Sequence, residues 1–399
     1  MIRRIVGQLC LLLLSTAATA DKGDLIVRGS VTTTMTQFPD TPGFAAQRQG
    51  AYAGFITGNF WADYRDSGDR DQFRLDVSER ASLDGDGRAP ILHELRYRHM
   101  GDQVSFLVGY STVFWGVIES RHLVDIVNQQ ESIIDPINPQ KLGQLMVNVE
   151  SRSDYGLFNF YLLPNFVERR FPTEQQRFSG GASVGPAVFN DNRSRPAFAL
   201  RYSNWFGKAD FGISYFSGLG REPRLVATDN DNGNSQTSLT PYYDRIHQLG
   251  IDAQATVGQT LWKLEYIARR GFQQNFQAAS VGLEHTWVGI YQRADLGFLT
   301  EFHYDGRSDE APGTLYRRAV FIGLRLALND QLHNSSLLAG VTRNSETGSY
   351  FANVQAETNV GKDWKVRAYY RRFAHVSPTE TLYAFARDGH FQLQITKYF

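Results

Sequence analysis

One stretch carries the residue types that hydrolytic chemistry uses. In "WGVIESRHLVDIVNQQESIIDPINPQKLG", residues 115–143, Ser120, His122 and Asp125 supply a hydroxyl, an imidazole and a carboxylate, the parts of a nucleophile, base and orienter. Triad chemistry needs these groups to converge in space, which closeness in sequence does not provide. The chain also lacks a nucleophile elbow and a helix-borne metal-binding motif. The plainer expectation is that Glu119, Arg121, His122 and Asp125 form a polar network fastening the stretch to a wall. Neither catalysis nor a metal nor a cofactor is expected.

A second group of residues could act on charge rather than on bonds. Arg74, Arg80, Arg96 and Arg98 fall on one face of two successive extended stretches, together with Asp76 and Glu94. Lys365, Arg367 and Arg371 share a face near the C-terminus, and Arg28 sits on the first such stretch. Asp210, Asp252, Glu265, Asp295, Glu301 and Glu357 take equivalent positions elsewhere. Charges lining a constriction select ions by sign, and the modest excess of arginine favours anionic or carboxylated solutes. The same charges would also serve merely to pair across strands and keep an interior wet.

The elements that hold these side chains are extended. Eighteen alternating segments of about 10 to 14 residues run from 24–36 to 388–399, most with one apolar face. In "AVFIGLRLAL", Val320, Ile322, Leu324, Leu326 and Leu328 oppose Gly323 and Arg325; in "LWKLEYIARR", Trp262, Leu264, Tyr266 and Ala268 oppose Lys263, Glu265 and Arg269. Every second connection is short ("DSGDR", "SRSD", "WFG", "IYQ", "GKD"), whereas long ones fall at 37–49, 115–142, 165–195, 218–244, 306–315 and 374–387. Short turns at one end and long loops at the other are the asymmetry of a membrane barrel. The expected fold is all-β: a transmembrane antiparallel up-and-down β-barrel of about eighteen strands, with sixteen as the alternative. The 115–142 loop after the fifth strand would fold inward, because Leu123, Val124, Ile126 and Val127 would be a liability on a wet surface. Those residues give it short helical character, with Asp135-Pro136 and Asn138-Pro139 as turn or helix-start signals.

Composition agrees. Aromatics make up 13% of the 399 residues, yet no apolar run after Ala20 approaches the roughly 20 residues of a membrane helix. Residues 1–20, with Arg3, Arg4, an apolar Leu11–Leu14 peak and Ala18-Thr19-Ala20, read as a signal peptide, leaving 21–399 as one barrel domain. Without the signal the chain has 39 basic and 41 acidic residues, which argues against nucleic acid as a partner. Cys10 goes with the signal, so disulfides, thiol catalysis and cysteine metal sites are excluded.

The tail "FQLQITKYF" puts Phe391, Leu393, Ile395 and the final Phe399 at alternate positions. It resembles the C-terminal assembly signal of Gram-negative outer-membrane barrels, departing from it at Lys397, where an aromatic is usual. An outward lysine costs little this close to a membrane rim, where its ammonium can snorkel to the headgroups. "WGVIESRHLVDIVNQ", "VERRFP", "ADLGFLTEFHYDGR" and "GLRLALND" resemble motifs of a porin-like family of such barrels. The resemblance implies location in the outer membrane and architecture more than substrate. The implied partners are outer-membrane lipid and lipopolysaccharide, the barrel assembly machinery and a small solute. The apolar outer face suits a homotrimer contact as well as lipid, so monomer and trimer both stay open. The expected function is passive diffusion of small polar, including anionic, solutes. A channel for hydrophobic compounds and a barrel hydrolase are the alternatives.

Overall fold

The computed structural model describes residues 23–85, 88–228 and 238–399; the expected signal peptide, 1–20, lies outside them. Eighteen strands form one closed antiparallel sheet. They are β1 (Asp24–Gln37), β2 (Tyr52–Arg65), β3 (Asp71–Ser82), β4 (Arg88–Met100), β5 (Val104–Ser111) and β6 (Gln144–Ser153). Next come β7 (Gly156–Leu163), β8 (Ala197–Phe206), β9 (Ala209–Leu219), β10 (Arg245–Val257), β11 (Thr260–Gly271) and β12 (Gln274–Tyr291). The circuit ends with β13 (Ala294–Asp305), β14 (Arg318–Ala327), β15 (Ser336–Asn344), β16 (Tyr350–Val360), β17 (Trp364–Ala374) and β18 (His390–Tyr398).

Alternation sets which side of each strand faces out, and the polarity is inverted relative to a soluble protein. On β11, Trp262 and Leu264 are exposed to the outside, while Lys263, Glu265 and Arg269 are buried within. The same holds for exposed Ile322 and Leu324 on β14. At the short-turn end, Phe73, Phe206, Trp262, Trp287 and Trp364 are exposed on the outer face as an aromatic girdle. A sheet with no free edge, an apolar exterior and an aromatic girdle satisfies its backbone internally and belongs in a bilayer.

Closure comes from β18 pairing with β1, with Ser30 opposite Tyr398 and Gln37 opposite Phe391. Beyond that ladder, Gly29 and Phe399 exchange backbone hydrogen bonds of 2.9 and 3.0 Å. Phe391, Leu393 and Ile395 face outward, as their spacing requires. Lys397 is held more specifically than by headgroups alone: its Nζ is 2.9 Å from Asp363 and lies over the Trp364 ring.

The long segment 112–143, between β5 and β6, folds into the barrel. Trp115, Leu123, Val124, Ile126 and Val127 join one buried cluster with inward residues of the wall, including Met146, Tyr161, Phe216, Ile246, Ile267 and Phe276. The expected helical character is absent: the segment holds only two short paired strands, Gln130–Glu131 and Gln140–Lys141. The N–H groups of Val117, Ile118, Glu119, Ser120 and Val124 bond to wall carboxylates instead of to carbonyls one turn back.

Candidate functional site

Two inward carboxylates anchor the loop. Glu265 on β11 accepts from the backbone N–H of Val117 (2.7 Å) and Ile118 (3.0 Å) through Oε1, and from Val124 (3.2 Å) through Oε2. Glu301, two strands on, accepts from the N–H of Glu119 (2.7 Å) and of Ser120 (3.0 Å), and from the Ser120 hydroxyl (2.5 Å). Both carboxylates are almost fully buried. Gly116 makes this approach possible: its φ of +126° suits glycine, and a Cβ there would lie 2.7 Å from Glu265 Oε1. Gly250 plays the same part on the wall, where a Cβ would come within 3.2 Å of Val124.

Further ties cross the lumen. Arg121 pairs with Asp305 on β13, and Glu119 meets Arg325 on β14 at 2.5 Å. On the opposite side Glu131 pairs with Arg80 of β3, and Asp135 with Arg371 of β17. With ties on β3, β11, β13, β14 and β17, the loop crosses the barrel as a partition instead of lining one wall. Beneath it, at the short-turn end, a cavity of about 1180 Å³ opens between Trp115, Gly116 and Val117 of the loop and Arg201, Asp210 and Asp252 of the wall.

The sequence-derived residues separate into groups with different surroundings. Glu119 and Arg121 reach the wall, but His122 is exposed to the lumen with its ring 4.8 Å from that of Phe114. Asp125 stays within the loop, 2.5 Å from Lys141. Among the arginines expected to line a pore, Arg80 and Arg371 are buried against the loop's carboxylates, whereas Arg74, Arg96, Arg98 and Arg367 border the lumen. These too have acidic partners. Arg74 meets Glu94 (2.6 Å) and Asp63 (3.3 Å), Arg98 meets Glu150 (3.7 Å), and Arg367 and Lys365 share Glu357 (3.2 and 2.9 Å). Asp63 lies directly across from Arg74 in the ladder. The arginine excess expected on this wall is thus cancelled locally.

The hydrolytic constellation does not assemble. Ser120 Oγ donates to Glu301 and sits 2.9 Å from His303 Nε2, while the other nitrogen of His303 meets Ser280 Oγ at 2.9 Å. The nearby carboxylate of Glu301 approaches that same Nε2, at 3.7 Å. An orienting acid must hold the imidazole nitrogen remote from the nucleophile, so this arrangement cannot relay a proton away from Ser120.

Sequence reading placed Glu265 and Glu301 on the inner face without seeing them as anchors. The available signal was the apolar company they keep: Ile246, Ile267, Phe216 and Leu299 also face inward, where a water-filled lumen gives them no reason to be.

No protein-family model and no curated protein matches the sequence. Among solved structures, OpdQ of Pseudomonas aeruginosa superposes over 94% of this chain and 97% of its own, with a TM-score of 0.53 at 9% identity. OccK2 (OpdF) of the same organism gives 94% and 97%, with a TM-score of 0.52 at 10% identity, and its complex with glucuronate gives the same values. The chain shares the fold of these structures, a closed antiparallel β-barrel. The likeness is one of fold, and at 9–10% identity this barrel carries its own set of wall and loop residues.

Proposed function

We propose that this porin-like barrel is a channel for passive diffusion of small polar solutes, anionic ones among them, narrowed by the 112–143 loop. The observation that carries the reading is a charged, water-exposed lumen wall, with Arg74, Arg98 and Arg367 each about one-third exposed, facing a loop pinned inside the barrel. An eighteen-stranded barrel is too wide for its own side chains to fill, so what remains beside the loop holds water. Deleting residues 118–140 is expected to raise single-channel conductance in planar bilayers severalfold. A folded deletion barrel that conducts nothing would overturn the channel reading.

Charge on the exposed wall sets the second expectation. Arg74, Arg96 and Arg98 face Asp63, Asp76, Glu94 and Glu150, a near balance that two substitutions would tip. Arg96→Glu with Arg98→Glu is expected to move the reversal potential in a salt gradient toward cation selectivity. An unmoved reversal potential would mean that these arginines only brace the wall.

A further inference from the structure

The cavity of about 1180 Å³ beneath the partition holds an aromatic side chain with no core to join. Trp205 is on β8, where alternation puts it on the inner face with Arg201 and Ser203, while Leu200 and Phe206 point outward. Its ladder partner is Asp210, and Asp210 lies opposite Gln254. Indole, carboxylate and amide therefore form one row across three strands of the inner wall. Trp205 is 70% exposed. Girdle tryptophans stand in lipid headgroups on the outer face, whereas this one stands open to the lumen.

Two further rings border the same space. Phe114, at the start of the loop, is 57% exposed, with the His122 ring 4.8 Å away and the Lys141 ammonium 4.7 Å over its face. Tyr155, in the turn between β6 and β7, is 80% exposed. That turn is tied to β8, because the Tyr202 hydroxyl (2.6 Å) and Asn204 Nδ2 (2.9 Å) both donate to the Tyr155 carbonyl. Loop, turn and strand each contribute one open ring.

The charges around the cavity balance. Arg201 meets Asp252 through both terminal nitrogens, at 2.7 and 2.8 Å, and Arg152 shares Glu150 with Arg98. Asp210 receives only the Gln254 amide, at 3.4 Å, and has no ion pair among the described residues. With Asp154 and with Lys208 in the adjoining turn, four basic residues (Arg98, Arg152, Arg201, Lys208) stand against four acidic ones (Glu150, Asp154, Asp210, Asp252). A balanced set exerts little net pull on an ion of either sign. An ammonium ion would use Asp210 and the rings but leave the Gln254 amide idle. A sugar uses all three, since each hydroxyl both donates and accepts, and a pyranose presents a flat C–H face that stacks on an indole.

We propose that this cavity is a binding site for neutral saccharides, with a pyranose ring lying on the Trp205 indole and its hydroxyls bonded to Asp210 and Gln254. The site names a solute class for the channel; it rests on the channel reading for its purpose but not for its test.

The test is saturation-transfer difference NMR on the full-length barrel, in a detergent without a sugar headgroup, titrated with maltose, sorbitol and choline. Sorbitol carries the hydroxyls without the ring face, and choline carries a cation without hydroxyl pairs. Maltose is expected to bind about tenfold more tightly than either, with the strongest transfer to the protons of one ring face. Trp205→Ala is expected to weaken maltose about tenfold, and Trp205→Phe, which keeps a ring, by only about threefold. Phe206→Ala, on the outer face of the same strand, should change nothing. Equal binding of sorbitol, tighter binding of choline, no binding of maltose, or unchanged binding in a folded Trp205→Ala barrel would each overturn the site. The measurement needs no conduction, so a conducting barrel that binds no maltose sinks the site alone, and a binding barrel that never conducts sinks the channel alone.

Discussion

Glu265→Ala is expected to release the N-terminal part of the partition loop while leaving the barrel closed. The substitution deprives the N–H groups of Val117, Ile118 and Val124 of their acceptor at once. Each buried donor left unsatisfied costs about 1–3 kcal/mol, and donors to a charged acceptor lie at the upper end. Three of them at about 2–3 kcal/mol each amount to a shift of at least about ten-thousandfold in the loop's docking equilibrium. The strand ladder does not use the Glu265 side chain, so strand content and heat resistance of the barrel should survive. Limited proteolysis within 112–143 should appear where the parent is resistant, and single-channel current should become noisier and larger. Glu265→Gln keeps one acceptor oxygen but turns an amide N–H toward backbone donors, so it should fall between parent and alanine. A loop still protected from protease in Glu265→Ala would mean that the apolar cluster around Val124 and Ile267 holds it unaided.

The barrel was legible because each strand repeats the same instruction. Period-two alternation fixes which residues face lipid, and a slip of one residue would turn Trp262 and Leu264 inward. The strand Gln274–Tyr291 is longer than the expected 10 to 14 residues, because its ladder continues past the alternation through an irregularity between Trp287 and Tyr291. The interior was legible by face but not by partner. Alternation puts Arg74 and Arg98 on the inner face, but their neutralisers, Asp63 and Glu150, depend on register and on the pairing of strands. The partition loop shows the same limit more sharply. Its apolar residues implied burial, and they are buried, but helical spacing in "HLVDIVNQ" carried no information about two glutamates more than 140 residues away. Glu222 with Arg269 and Arg307 was invisible for the same reason, since loop and wall residues meet there only after closure.

Arg177→Ala is expected to free the external loops from one another. The buried Arg177 guanidinium joins three of them: it donates to Asp388 Oδ1 (2.8 Å), to the Asp40 carbonyl (3.1 and 3.2 Å) and to the Arg387 carbonyl (2.8 Å), while stacking on Phe38 at 4.3 Å. Its own carbonyl accepts from Gln47 Nε2. Removing one member of a buried ion pair typically costs about 3–5 kcal/mol, because the other charge is left unpaired. Amide exchange in 38–51, 164–196 and 375–389 should therefore rise by two or more orders of magnitude, with the strands unaffected. The same latch should respond to acid. Burial raises the Asp388 carboxyl to about 6 even though Arg177 and Gln47 pull it down. In an opened arrangement it would return to the ordinary value of about 4. A carboxyl that binds its proton more tightly when latched makes the latched state gain as pH falls from 7 toward 4, by at most about a hundredfold, and lose that gain as pH rises through 6. Loop exchange, corrected for its intrinsic pH dependence, should slow on acidification. Asp388→Asn should abolish that slowing, because the amide cannot titrate. If instead acid loosens the loops, the Arg177–Asp388 attraction outweighs the burial of Asp388, and the sign of the latch is reversed.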